Sequence, residues 1–233
     1  MTVLVVQHEP DVHLGLLGPR LSAARILRMW EDPAAIRRVL DDAESGASPL
    51  PEGIVILGGR ANAYADADWP WLADTRELIR RAIDQDRRLL GICLGAQLLA
   101  VATGGSVTIG AEAGPEYGVH ELHWDAAPPS SPLIAELSGA RCAFEDHGDA
   151  IADLPAGRVL ARSTKYPQVL AVGSALGVQF HPEVDESLVR AWQESNSSTD
   201  TEEIVAGFRA HETELARTCA LLATWIDEGE PSL

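Results

Sequence analysis

Arg88-Leu89-Leu90-Gly91-Ile92-Cys93-Leu94-Gly95-Ala96-Gln97-Leu98-Leu99-Ala100 is the stretch on which the reading of the fold turns. Leu89–Ile92 is short and continuously apolar, the pattern of a strand buried on both faces of a parallel sheet. Leu94–Thr103 is apolar all round, the pattern of a buried helix. No residues are left over for a loop between them, so the residue at the junction must adopt a strained turn. Gly91 and Gly95 flank it at i−2 and i+2, where side chains would collide. This is the arrangement of a nucleophile elbow, with Cys93 in place of the usual serine. A thiol at a helix N-terminus meets unpaired N–H groups and the positive end of the helix dipole, both of which favour the reactive thiolate. The amide of Leu94, next in the chain, can donate to an oxyanion. Elsewhere a buried cysteine would read as a small apolar residue; between these glycines it reads as a nucleophile.

The same strand–helix rhythm extends outward. Val3–Gln7 is a first strand. Val55–Leu57, within Gly53–Leu57, is another and ends at Gly58-Gly59. Trp71–Asp86 sets Leu72, Ile79 and Ile83 among charges near helical spacing. Alternation of this kind predicts an α/β fold, a doubly wound, mostly parallel sheet flanked by helices. The middle of the chain reads as successive strands over Gly118–Trp124, Arg141–Phe144, Arg158–Ser163, Val169–Val172 and Ala175–Phe180. These either extend the sheet or form a layer beside it. Asp185 to Asp227 is helical, broken at the polar run Ser195–Asp200, with Thr199 or Asp200 as N-cap of the last helix. Pro49 to Gly53 and Pro128 to Pro132 read as loops. With no repeat and no long linker, a single domain over residues 1–233 is expected.

A cysteine nucleophile needs a base, and the base an orienter. Gly177-Val178-Gln179-Phe180-His181-Pro182-Glu183 supplies both: His181 stands at a strand terminus, Pro182 stiffens the turn, and Glu183 can reach back to fix the imidazole tautomer. Of the other histidines, His8, His13, His120 and His123 invite comparison with a metal site. His120 and His123, three apart on a predicted strand, point to opposite faces, so no metal site is expected. His211 lies in a charged helix.

Composition narrows the partners. The chain has 233 residues, 46% of them apolar, and a formal charge of −17. That charge disfavours nucleic acid and anionic membrane, which need basic patches. It fits a self-repelling soluble surface, or an acidic face for a basic partner subunit. The three cysteines, Cys93, Cys142 and Cys219, form no disulfide framework and no CxxC pair. No apolar run is long enough to span a bilayer, and the N-terminus lacks a basic signal region, so a cytoplasmic location is expected. No Walker-type phosphate loop and no cofactor motif is present.

Together, Gly91-Ile92-Cys93-Leu94-Gly95-Ala96-Gln97 and Phe180-His181-Pro182-Glu183 closely resemble the two signatures of the class I glutamine amidotransferase family, in the same order and at similar separation. Leu57-Gly58-Gly59 is similar to the family's glycine-rich oxyanion strand end, with Leu57 where a proline often stands. Phe144-Glu145-Asp146-His147-Gly148-Asp149 is similar to the His-Gly-Asp segment of its GMP-synthase-like branch, and Met1 to Gly18 resembles the start of that branch's free-standing members. The segment His147–Asp149 also reads as a plain glycine turn between strands.

The resemblance implies a flavodoxin-like sheet and a role for each matching residue. Cys93 would attack the carboxamide of glutamine to form a γ-glutamyl thioester, His181 would protonate the departing ammonia and then activate water, and Glu183 would orient His181. The amides of Gly59 and Leu94 would hold the oxyanion. Gly58, Gln97, Asp146, Gly148 and Asp149 would contribute to the substrate pocket, Gln97 at the amino-acid end. Ala111–Tyr117 and Lys165-Tyr166-Pro167 would help shape that pocket. Three functions follow from this. The chain is a glutaminase that feeds ammonia to a separate synthetase subunit, a self-sufficient γ-glutamyl hydrolase or peptidase acting on another γ-glutamyl amide, or a silent binding protein that keeps the fold.

Overall fold

A computed structural model describes residues 2–126, 131–196 and 199–229. The predicted loop at Pro128 to Pro132 falls partly outside them, as does the middle of the Ser195–Asp200 break. The first strand, β1 (Val3–Gln7), pairs in parallel with β2 (Ala24–Arg28) on one side and β3 (Gly53–Ile56) on the other. Next to β3 lies β4 (Arg88–Ile92), and next to β4 lies β12 (Ala175–Val178), both parallel. The antiparallel strands β11 (Pro167–Val172), β10 (Arg158–Arg162) and β7 (His123–Trp124) complete an eight-stranded sheet in the order β2-β1-β3-β4-β12-β11-β10-β7.

Side-chain alternation along the central strands decides which helix packs where. Leu4, Val6, Ile54, Ile56 and Leu89 face one layer, formed by α1 (Ala35–Ser45), α2 (Trp71–Asp84) and α3 (Leu94–Ala102). Val3, Val5, Val55, Leu57, Leu90 and Ile92 face the other, where Cys219, Leu222, Trp225 and Ile226 of the long terminal helix α6 (Thr201–Glu228) lie with α4 (Pro132–Leu137). A strand with both faces covered is a near-continuous apolar run, and β1, β3 and β4 are buried throughout, with polar residues only at their ends, Gln7 and Arg88. Each such side chain contributes about 1.5–3 kcal/mol relative to exposure. At the start of β4, Arg88 donates to the carbonyls of Ile226 and Asp227 and so ties the last turn of α6 to the sheet; a cation at a helix C-terminus is favourable.

The middle of the chain does both things that the sequence left open. β7, β10, β11 and β12 extend the main sheet, while two ribbons stand beside it: β5 (Ser106–Thr108) with β9 (Ala150–Asp153), and β6 (Glu116–Glu121) with β8 (Cys142–His147). The strand expected over Gly118–Trp124 is two strands in two sheets, because the chain breaks at Leu122 and passes from the β6·β8 ribbon to the main sheet. The edge strand β2 had no alternation to announce it; only Leu27 is buried, and the rest of the strand is exposed. The tail divides as expected into α5 (Glu186–Ser195) and α6. Asp200 precedes α6 but makes no side-chain cap bond, whereas Asp185 caps α5 through the Leu188 amide.

Candidate active site

The site lies where the parallel strands end. β4 runs into α3 with a single residue between them, and that residue, Cys93, has φ 50° and ψ −106°. Such a backbone is sparsely populated for any residue with a Cβ. Gly91 and Gly95 let the turn close. A Cβ on Gly95 would lie 2.1 Å from the Ile56 carbonyl oxygen, and one on Gly91 would lie 2.6 Å from the Gly95 oxygen. The Cys93 amide donates to Val178 of β12 at 2.8 Å, so the elbow is pinned to the neighbouring strand.

Parallel pairing of Val178 with Ile92 then sets the residues after β12 beside the elbow. His181 is buried, and its backbone amide donates to the Phe144 carbonyl. Its Nδ1 lies 2.8 Å from Glu183 Oε1, leaving Nε2 for Cys93. Burial pulls the imidazole toward neutrality, but the charge of Glu183 and the charge and hydrogen bond of Cys93 outweigh it and hold His181 well above its ordinary 6.5. The ring edge of Trp192, from the buried face of α5, packs against His181 at 4.8 Å between centroids. Gly58 fits between base and nucleophile: a Cβ there would stand 3.1 Å from His181 Cε1 and 3.5 Å from Cys93 Cβ. Gly59 follows and lies against Leu94, the first residue of α3, so the two expected oxyanion donors come from adjoining backbone segments.

Cys93 and His181 open into a cavity of about 280 Å³ whose walls include Gly59, Arg60, Gln97, Tyr117, Asp146, Gly148 and Asp149. Asp146 accepts from Gln193 Nε2 at 2.8 Å, and burial raises its carboxyl above the usual range. Asp149 accepts from the Gly110 amide at 2.8 Å. Arg60 is held by Glu9 and Asp11, so its charge is already spent within the protein. Gln97 lines the cavity, but its amide nitrogen is directed at the Asp149 carbonyl and at Gln179 Oε1, both at 3.3 Å. Of the two segments expected to shape the pocket, the first contributes Tyr117 to the wall, and in the second the Tyr166 hydroxyl donates to the Gly114 carbonyl at 2.8 Å.

His147, which lines the cavity, belongs to a carboxylate group that sequence reading missed. Register pairs Glu116 of β6 directly with His147 of β8, and Glu145, two residues before His147, shares its face of the ribbon. His147 Nε2 stands 3.3 Å from both Glu116 Oε2 and Glu145 Oε2, and its Nδ1 is 2.9 Å from the Asp149 carbonyl. Burial lowers the imidazole's affinity for a proton, yet the two carboxylates raise it to about 10. Burial pushes the Glu145 carboxyl up, whereas the neighbouring His147 and the hydrogen bond from Ser163 outweigh burial and bring Glu116 down. These three offer ligand atoms within 4.8 Å of one another. Glu116 Oε2 is, however, already taken by Ser163 Oγ at 3.0 Å and Gln168 Nε2 at 2.9 Å, and the cation that the carboxylates face is the His147 imidazolium. The partners of Glu116 are separated along the chain, so only the pairing of β6 with β8 could have revealed them. Gln179 did leave a signal: it is a polar side chain inside the apolar run from Ala175 to Phe180.

Of the remaining histidines and cysteines, His8, Cys142 and Cys219 are buried. Burial brings His8 down to about 4, and its Nδ1 accepts from Trp71 Nε1. His13 Nδ1 accepts from the Gly15 amide, and His120 contacts the Tyr117 carbonyl. Cys142 and Cys219 are buried free thiols that burial pushes up to about 11 and about 12.

A doubly wound sheet with a cysteine at a strand–helix elbow and an imidazole–carboxylate pair beside it defines a class, and sequence comparison agrees. Residues 30–191 match the family model described as glutamine amidotransferase class-I, and the chain belongs to that family. The glutamine-hydrolysing GMP synthase of Streptococcus mutans is 32% identical over 139 residues, covering 58% of this chain and 25% of that protein. The enzyme of the same description from Synechococcus sp. (strain CC9311) is 31% identical over 188 residues, covering 78% and 33%. The chain thus spans a quarter to a third of the length of these relatives. Among solved structures, a glutamine amidotransferase from Thermotoga maritima matches the fold with a TM-score of 0.79 at 23% identity, over 97% of this chain and 98% of that one. One from Methylobacillus flagellatus matches with 0.77 at 24% identity, over 100% and 96%. Among the described residues no helix is long and apolar enough to cross a membrane.

Proposed function

We propose that the chain hydrolyses the side-chain amide of glutamine and delivers the ammonia to a synthetase component outside this chain. The observation that carries the reading is the Cys93 elbow facing the His181–Glu183 pair at the mouth of a cavity. The carboxylate of Glu183 and the neighbouring Cys93 hold the buried His181 well above its ordinary 6.5, which favours an imidazolium ready to give up a proton. The sulfur attacks the carboxamide carbon, and the amides of Gly59 and Leu94 stabilise the oxyanion. His181 gives its Nε2 proton to the nitrogen, the C–N bond breaks, and ammonia leaves behind a γ-glutamyl thioester. The now neutral His181 takes a proton from water, the hydroxide attacks the thioester, and glutamate leaves with return of the thiolate. Glu183, on Nδ1, keeps the other nitrogen aimed at the sulfur through both halves.

Glutamine as substrate is supported by the description of the GMP synthase relatives as glutamine-hydrolysing. A partner is supported by the two thirds or more of those relatives that this chain does not match. The experiment is ammonia release from L-glutamine and from a panel of γ-glutamyl amides, with Cys93→Ala as the blank. Release from glutamine that rises when a synthetase component is added is the expected result. Release from the Cys93→Ala protein would overturn the nucleophile assignment. Strong partner-free preference for another γ-glutamyl amide would make the chain a self-sufficient hydrolase.

A further inference from the structure

We propose that Gln179 is a second hydrogen-bond donor to the Cys93 sulfur, and that Gln97 positions it by deciding which end of its carboxamide faces that sulfur. The inference rests on the reading of Cys93 as nucleophile. Gln179 is fully buried, the first residue after β12, and its amide Nε2 lies 3.6 Å from Cys93 Sγ. It stands outside the cavity wall, so it touches the reacting atom without being placed to touch the rest of a substrate.

A carboxamide can be turned either way round: its oxygen would accept from a thiol, its nitrogen would donate to a thiolate. The surrounding groups leave one choice. The Asp149 carbonyl can only accept, so the end of Gln97 that meets it must be the nitrogen. That same nitrogen faces Gln179, so the end of Gln179 that meets it must be the oxygen. Nε2 of Gln179 is then the group left for the sulfur. The Asp149 carbonyl is fixed in turn by the His147 imidazolium, which donates to it through Nδ1. The Glu116, Glu145 and His147 group, which the hydrolytic steps do not use, thus anchors a line of donors that ends on the nucleophile. His181 approaches the sulfur from the turn after Phe180, and Gln179 from the end of β12. A hydrogen bond to a charged acceptor is stronger than one between neutral groups, so the donor stabilises the thiolate over the thiol.

The test is the rate at which iodoacetamide alkylates Cys93, which needs no knowledge of the substrate, set beside kcat and KM for glutamine. Gln179→Glu keeps the shape and the acceptor for Gln97 but replaces the donor. It should slow alkylation and lower kcat by roughly tenfold or more, with KM little changed. Gln179→Met, which keeps the volume without either polar end, should fall by about as much. Gln97→Met, which frees Gln179 to turn over, should fall by a smaller factor. Wild-type alkylation in the folded Gln179→Glu protein would overturn the proposal; if that variant does not fold, wild-type alkylation in Gln179→Met would do so. Fast alkylation of the wild-type chain without glutamine turnover would defeat the proposed function and leave this inference standing.

Discussion

Two histidines meet the same cavity, and they differ in what their nitrogens are free to do. Both are buried, both face carboxylates, and both are held protonated. His181 has Nδ1 on Glu183 and its other nitrogen toward Cys93. His147 has Nδ1 on the Asp149 carbonyl and Nε2 between Glu116 and Glu145. A base must surrender and recover a proton within one turnover, and of the two only His181 has a nitrogen toward Cys93, as the proposed mechanism requires. His147 has its charge neutralised on one side and its geometry fixed on the other, so it serves as a fixed post. A perturbed imidazole in a cleft is therefore not enough to identify a general base; the free nitrogen decides.

The largest effect should come from the side of the pair that moves protons. His181→Ala should lower kcat for glutamine by roughly a hundredfold to ten-thousandfold, measured as steady-state ammonia release. Retention of most of the activity would erase the distinction drawn between the two imidazoles. Glu183→Gln should cost less, because the imidazole remains but loses its orienting charge. In a comparable triad the orienting carboxylate is worth about a hundredfold less than the base. A loss equal to that of His181→Ala would mean that Glu183 does more than orient.

The smallest effect on turnover, and the largest on stability, should come from His147→Gln. Removing the imidazolium leaves Glu116 buried without its cation, at a cost of about 3 kcal/mol, visible as a lower denaturation midpoint at neutral pH. The pH dependence has a definite sign. The folded value of about 10 exceeds the ordinary 6.5, so the stability that His147 contributes is full below about pH 6.5 and is lost as pH climbs through about 10. Wild-type stability should therefore fall toward the alkaline end more steeply than that of His147→Gln, and parallel curves would show that the pair carries no such charge.

Much of this was legible in the sequence, and the reason is local. The run from Arg88 to Ala100 combines a continuous apolar strand, a continuous apolar helix and two glycines around a cysteine, so sheet, layer and elbow are encoded within thirteen consecutive residues. His181 and Glu183 are two apart, and their contact needs no tertiary information. The pocket is different. Glu116 meets His147 only through β6·β8 register, and Gln97 meets Gln179 only because β4 and β12 are neighbours. Gln97 could be read as a pocket residue, but that its nitrogen faces another side chain depends on pairings that no short stretch contains. The edge strand β2 escaped for the opposite reason: being mostly exposed, it has no apolar pattern to read.

Among the described residues other than glycine, only Asp86 and Cys93 have positive φ, and Cys93 is the one confined to a buried strand–helix junction. Glycine would occupy that conformation at less cost. A change from Cys93 to glycine would therefore relieve the backbone while, under the proposed function, removing the nucleophile, so stability and activity would pull in opposite directions at this position. A chain drifting free of any demand for catalysis would gain by giving up this residue first, and the sulfur is held there at the expense of the fold that carries it.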